Sequence, residues 1–181
     1  TRARSRSFFE TGVVAHVSMA HPTCSRLADT AYAAAQHLDL NTVRGGTYVA
    51  MEGPQFSSLA ESKLYKSWGA DVIGMTNLPE AYLAREAEIC YASVGMVTDY
   101  DCWHPDHDAV QVADIVRVLL ENADNARSLV KQVTPSVSKF DRPCPAGCHR
   151  VLDDAIITGP DARDPKVVRM LDAVAGRVLQ S

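Results

Sequence analysis

Three short stretches of this chain end apolar runs in turns that carry polar or aromatic side chains, and these are where chemistry is expected. The first is Met51-Glu52-Gly53-Pro54-Gln55-Phe56-Ser57-Ser58, which offers an aromatic face and hydroxyls behind a Gly-Pro turn. The second, Asp71-Val72-Ile73-Gly74-Met75-Thr76-Asn77-Leu78-Pro79-Glu80, ends a short apolar run at a helix start. The third, Val97-Thr98-Asp99-Tyr100-Asp101-Cys102-Trp103, places two carboxylates two residues apart. In open α/β sheets, ligands collect beyond the carboxyl ends of strands, where helix N-termini supply donors for anions. Taken alone, Asp99 and Asp101 suit a turn cap better than a catalytic pair, because short carboxylates bond to nearby backbone N–H groups.

Apolar runs alternate with helical patterns from His16 to about Val133, the rhythm of an α/β domain. Strands are expected at Val13–Val17, Thr42–Met51, Asp71–Met75 and Cys90–Thr98. Gly45-Gly46 within the second of these reads as a bulge or a close backbone approach. Leu27, Ala31, Ala34, Ala35 and Leu38 give Pro22–Leu40 a helical period. Ser58 with Glu61 forms a capping box that starts a helix to about Trp68, and the Thr76–Glu80 turn opens another. Asp106 or Asp108 opens the longest helix, with Val112, Ile115, Val116, Leu119, Ala123, Ala126, Val130 and Val133 as one apolar stripe. Residues 134–150, rich in proline and serine, read as a strap or loop. Residues 151–181 read as a helical tail, with Asp161 or Asp164 capping a final helix. The whole, residues 1–181, is expected to form a single domain.

The order and spacing of Gly46-Thr47-Tyr48-Val49-Ala50-Met51-Glu52-Gly53-Pro54-Gln55-Phe56-Ser57-Ser58-Leu59-Ala60-Glu61-Ser62, Gly74-Met75-Thr76, Pro79-Glu80 and Thr98-Asp99-Tyr100-Asp101-Cys102-Trp103 carry a resemblance. From Thr1 to about Val133 the chain resembles the 5′-methylthioadenosine phosphorylases. The resemblance implies a three-layer nucleoside-phosphorylase-like α/β fold, a central mixed β-sheet flanked by helices, incomplete at the N-terminus. It implies phosphorolysis of 5′-methylthioadenosine to adenine and 5-methylthioribose 1-phosphate, with inorganic phosphate as co-substrate and without a metal or organic cofactor. Phe56 would stack on the base, Met75 would lie against the ribose, and Thr76 would join ribose and phosphate contacts beside Thr98. Asp99, supported by Asp101, would face the N6 and N7 edge of adenine. A pocket carboxyl tuned upward by burial and a neighbouring carboxylate could protonate N7 of the leaving base.

The resemblance also bears on selectivity and assembly. Related phosphorylases for 6-oxopurines carry glutamate where Ser57 stands and asparagine where Asp99 stands. Serine withdraws an acceptor for an N1 hydrogen that adenine lacks, and aspartate accepts from the amine that adenine has. His16 corresponds to a family histidine that reaches a neighbouring subunit's pocket near the 5′-alkylthio group, which implies a homotrimer. Val112, Ile115 and Val116 would line that apolar pocket, and ordinary core packing is the equal reading of their helical spacing. Family members carry, before this region, a first βα half with the glycine-rich phosphate loop and an arginine-histidine pair. A truncated protein that binds an aromatic small molecule without catalysis, and a 6-oxopurine nucleoside phosphorylase, are the alternatives.

Composition narrows the classes further. Net charge is −4, with no basic run, which argues against a nucleic-acid groove or a polybasic membrane patch. No stretch approaches the ~20 apolar residues of a transmembrane helix, and no signal-peptide core follows Thr1, so a cytoplasmic setting is expected. Five cysteines, Cys24, Cys90, Cys102, Cys144 and Cys148, form an odd and scattered set, unlike a secreted disulfide framework. Cys102, His104 and His107 lack a fourth ligand and read as ordinary loop residues. Cys144 and Cys148 read as a paired-thiol staple or as two free cysteines.

Overall fold

Local caps and short parallel pairing organise the chain. A computed structural model describes residues 4–104 and 112–180, with the backbone alone described at 112–115. Asp106, His107 and Asp108 lie outside the described residues, as do the side chains of Val112 and Ile115. Two compact units emerge, each assembled from separated stretches: residues 1–27, 76–93 and 141–181 form the first, and residues 28–75 and 94–140 the second.

In the second unit, β1 (Tyr48–Ala50) pairs in parallel with β2 (Val72–Gly74), with Tyr48 opposite Val72 and Ala50 opposite Gly74. Parallel neighbours need a crossover, and α2 (Leu59–Ser67) supplies it. Ser58 caps that helix: its hydroxyl accepts from Glu61 N–H while the Glu61 carboxylate accepts from Ser58 N–H at 2.8 Å. The expected capping box is therefore present. Helix α1 (Ser25–His37) lies inside the expected Pro22–Leu40 span. In this unit Ala34 and Ala35 pack with Leu129 of α4 (Val112–Val137).

The long helix differs from expectation in two ways. It runs through Pro135 to Val137 rather than ending near Val133. Proline removes one donor and crowds the preceding turn, and the Thr134 hydroxyl donates to Val130 C=O at 2.7 Å in the turn where this occurs. Its contact face is also rotated from the expected stripe. Leu129 and Val133, one turn apart, face the small Ala34 and Ala35 side chains, while Val116, Leu119 and Val130 are exposed.

The first unit holds the larger apolar core: Phe9, Val13, Leu152, Ala155, Val167, Leu171, Ala175 and Leu179. The tail that feeds it is two helices, α5 (Pro165–Met170) and α6 (Asp172–Leu179), which follow α4 in chain order, and α3 (Asn77–Glu86) belongs to the same unit. Asp164 caps α5, its carboxylate accepting from Lys166 N–H at 2.7 Å. A single final helix was expected, but buried Leu171 closes one helix and opens the next.

The α/β reading holds, but regular sheet among the described residues is confined to β1 and β2. Val13–Val17 makes only isolated bridges, Glu10 to Val13 and Ala15 to Ile156, and Cys90–Thr98 makes no ladder. A strand is defined by its partner, and neither segment has a strand beside it among the described residues. No helix among the described residues is long and apolar enough to cross a membrane.

Candidate functional site

Parallel pairing puts the carboxyl ends of β1 and β2 at the same end of the sheet, so the turns that follow them are neighbours. Contacts show how closely they approach. Gly53 has φ +69°, and a methyl group built there would stand 2.5 Å from the Met75 Sδ. Glycine is favoured here, because an L-residue is strained at this φ and its Cβ would push the Met75 side chain aside. Gly74 is similarly closed, since any Cβ there would overlap the Tyr48 hydroxyl. Beyond Gly53, Phe56 projects with 88% of its surface exposed. Ser57 is half-buried, and its hydroxyl donates to the Met51 Sδ at 3.6 Å.

The third motif meets the first within the same unit. The Cys102 thiol donates to Ser57 C=O at 3.6 Å, and Lys66 of α2 places Nζ 3.1 Å over the Trp103 ring. Such a cation over an indole face contributes about 0.5–1 kcal/mol at exposed sites. Tyr100 stacks on His104 with centroids 4.8 Å apart and meets Trp103 edge-on. Asn122 of α4 donates to Val97 C=O at 2.9 Å, holding the start of the segment. Sequence reasoning missed Lys66 and Asn122, since no local spacing signals a contact made only after folding.

The carboxylates play different parts. Asp101 is half-buried, and its carboxylate accepts from Cys102 N–H at 2.9 Å while its carbonyl accepts from His104 N–H at 3.1 Å. This is the turn-capping role weighed in the sequence. Asp99 is exposed, and the Thr98 hydroxyl donates to it at 2.7 Å. The enclosing burial expected around Asp99 is absent among the described residues.

Met75 is half-buried and Thr76 exposed. Thr76 stands at the N-cap of α3 without a side-chain cap bond, which leaves its hydroxyl for other partners. Val116 is 48% exposed on α4, so plain core packing does not describe it. His16 belongs to the first unit, where it is exposed and lines an open cavity of about 370 Å³ with Arg6, Met19, Tyr82 and Glu86. Glu86 is itself buried at 9% exposure, its carboxylate accepting from Phe8 N–H at 2.7 Å.

Of the weaker signals, Cys102 is committed to the Ser57 carbonyl and His104 to the Tyr100 ring, and His107 is outside the described residues. Cys144 and Cys148 are free thiols, as are Cys24 and Cys90. These four lie together in the first unit, an arrangement invisible in sequence because Cys24 and Cys144 are 120 residues apart.

Comparison with known proteins adds to this geometry. The phosphorylase superfamily profile matches residues 1–135. A Bradyrhizobium diazoefficiens protein named S-methyl-5′-thioadenosine phosphorylase is 61% identical over 180 residues, covering 99% of this chain and 62% of that relative. A methylthioadenosine phosphorylase from an Antarctic soil metagenomic library superposes with a TM-score of 0.85 at 42% identity, over 94% of this chain and 60% of that one. The Schistosoma mansoni methylthioadenosine phosphorylase, solved in complex with adenine, superposes with a TM-score of 0.74 at 26% identity, over 84% of this chain and 62% of its own. The chain thus spans about three fifths of the length of the relatives it matches.

Proposed function

The chain belongs to the phosphorylase superfamily, and from that membership we propose that it forms the purine- and sugar-recognising part of an enzyme that phosphorolyses 5′-methylthioadenosine. The products would be adenine and 5-methylthioribose 1-phosphate, with inorganic phosphate as co-substrate and no metal or organic cofactor in the reaction. One observation carries this reading: the Gly53–Met75 approach and the Cys102–Ser57 contact bring all three motifs to one end of a parallel strand pair.

Each side chain has a chemical task in this proposal. Phe56, standing free of packing, offers its face to the adenine ring, and Met75 covers one side of the ribose. The Thr76 hydroxyl, unclaimed by its helix, bonds to ribose and phosphate oxygens, with Thr98 close to Asp99. Breaking the glycosidic bond leaves cationic character on the ribosyl group and negative charge on the departing base. Asp99 relieves the latter by delivering a proton to N7, a step that contributes about 10²–10⁴-fold when well positioned. Asp101 keeps the turn in place through Cys102 N–H rather than through a second acid. Ser57 and Asp99 together select the 6-amino over the 6-oxo edge, because the wrong edge leaves unpaired the polar groups that the bound base desolvates.

Assembly and setting follow the same reading. His16, exposed on its open cavity, reaches a neighbouring subunit of a homotrimer and contacts the 5′-alkylthio group, with Val116 on the apolar side. The enzyme serves purine and methionine salvage in the cytoplasm. The test is phosphate-dependent release of adenine. Asp99→Asn in the protein form that turns over 5′-methylthioadenosine should lower kcat by about a hundredfold or more, and an unchanged rate removes the assigned role.

A further inference from the structure

Three separated stretches of the first unit deliver four sulfur atoms to one place. The Sγ atoms of Cys24, Cys90, Cys144 and Cys148 all lie within 4.8 Å of one another, with Cys24 and Cys144 at 3.5 Å. Cys24, Cys144 and Cys148 are buried and Cys90 is half-buried. Four bonds of about 2.3 Å to one tetrahedral zinc put sulfurs roughly 3.8 Å apart, whereas a disulfide holds them at about 2.05 Å. The cluster has the spacing of the former. Clustered thiols are also poor partners for one another, since S–H is a weak donor and sulfur a weak acceptor.

We propose that Cys24, Cys90, Cys144 and Cys148 form a tetrathiolate site for a structural zinc ion. The ligand chemistry selects the metal: an all-sulfur tetrahedral set favours soft or borderline ions over magnesium or calcium. Four protein ligands leave no open position, so the ion would hold the fold rather than perform catalysis. The pair Cys144 and Cys148, three residues between them, falls within the ligand spacing common to structural zinc sites.

The surrounding shell fits thiolates. Gly147, at φ +67°, turns the loop back on itself, and its N–H donates to Cys144 C=O at 2.9 Å. Backbone N–H groups of Cys148 and Ala146 donate to the Cys144 sulfur. Such N–H to sulfur bonds orient and stabilise metal-bound thiolates. A tetrathiolate zinc centre carries net negative charge, and the Arg85 guanidinium donates to the Cys148 sulfur at 3.7 Å. Leu27 packs against the cluster from the apolar side. The ion would join the residue before α1, the segment after α3 and the Cys144–Cys148 loop, a staple that zinc supplies when it binds the folded chain alone.

The test uses the fully reduced chain, stripped with chelator under anaerobic conditions and titrated with cobalt(II), then zinc. The expected result is one equivalent of cobalt with the ligand-field and charge-transfer absorption of a tetrahedral thiolate centre, displaced by one equivalent of zinc. Cys24→Ser and Cys148→Ser should each abolish the tetrathiolate spectrum, and Cys102→Ser should leave it intact. The unsubstituted chain gives the answer even where a serine variant fails to fold. Failure of reduced protein to bind either metal overturns the proposal. So does binding that gives an octahedral oxygen-type spectrum, or recovery of the four cysteines as two disulfides in a chain that rejects zinc once reduced.

Discussion

Substituting Gly53→Ala separates two costs that the geometry places at one atom. The residue sits at φ +69°, where an L-side chain costs roughly 1–2 kcal/mol relative to glycine. The new methyl would also lie 2.5 Å from the Met75 Sδ and 3.3 Å from its Cγ. Backbone cannot yield to this, but a thioether can swing away at about 0.5–1.5 kcal/mol for an off-rotamer position. The φ cost falls on folding, so thermal unfolding should drop by roughly 2–8 °C, taking about 2–4 °C per kcal/mol for a chain of this size. Under the proposed function the displaced Met75 falls on ligand binding, so the affinity for 5′-methylthioadenosine should weaken by roughly 2- to 12-fold at about 1.4 kcal/mol per decade. Isothermal titration and thermal melts on the unsubstituted protein, Gly53→Ala, Met75→Ala and the double variant form the assay. In the Met75→Ala background the binding effect of Gly53→Ala should vanish while the melting effect persists. An equal loss of affinity in both backgrounds would refute the claim that Met75 transmits the change.

Other outcomes test the scaffold. Leu152→Ala, at a position with no exposed surface, should cost about 2–5 kcal/mol in urea unfolding, whereas Leu120→Ala on the exposed face of α4 should change stability by less than about 0.5 kcal/mol. The Glu61 carboxyl is held below its ordinary range by Ser58 N–H and then by the Ser58 hydroxyl. A depressed carboxyl contributes stability above its unfolded value of about 4.3 and loses it as pH falls through the folded value. Glu61→Gln should therefore flatten the acid limb of the stability curve and leave its shape at neutral pH unchanged. A parallel acid limb in both proteins would count against the capping-box account.

What could be read from sequence was local or carried by motif. Ser58 and Glu61 are three residues apart, and their reciprocal bonds need nothing beyond one helical turn. β1 and β2 were legible because short apolar runs ended at glycine-containing turns. Val13–Val17 and Cys90–Thr98 have the composition of strands, yet a ladder depends on a partner that composition does not supply. The register of α4 was misjudged around Val130 because the choice between Val130 and Leu129 is made by Ala34 and Ala35 of another helix. Phe56, Ser57, Met75 and Asp101 were placed at converging turns, but the Lys66–Trp103 contact that fastens two of those turns arises between distant segments. The four-cysteine cluster was hidden for the same reason.

The three-part make-up of the first unit sets an order on how the chain matures as it is synthesised. Phe9 and Val13 leave the ribosome well before Leu171, Ala175 and Leu179, the side chains that cover them. Arg177, whose guanidinium donates twice to Glu88, closes a loop of 89 residues only after all of the intervening chain has been made. Residues 28–75 and 94–140 emerge before that closure and can complete their own contacts first. Until α6 is made, Phe9 and Val13 lack part of their apolar cover, an interval in which a chaperone would find them.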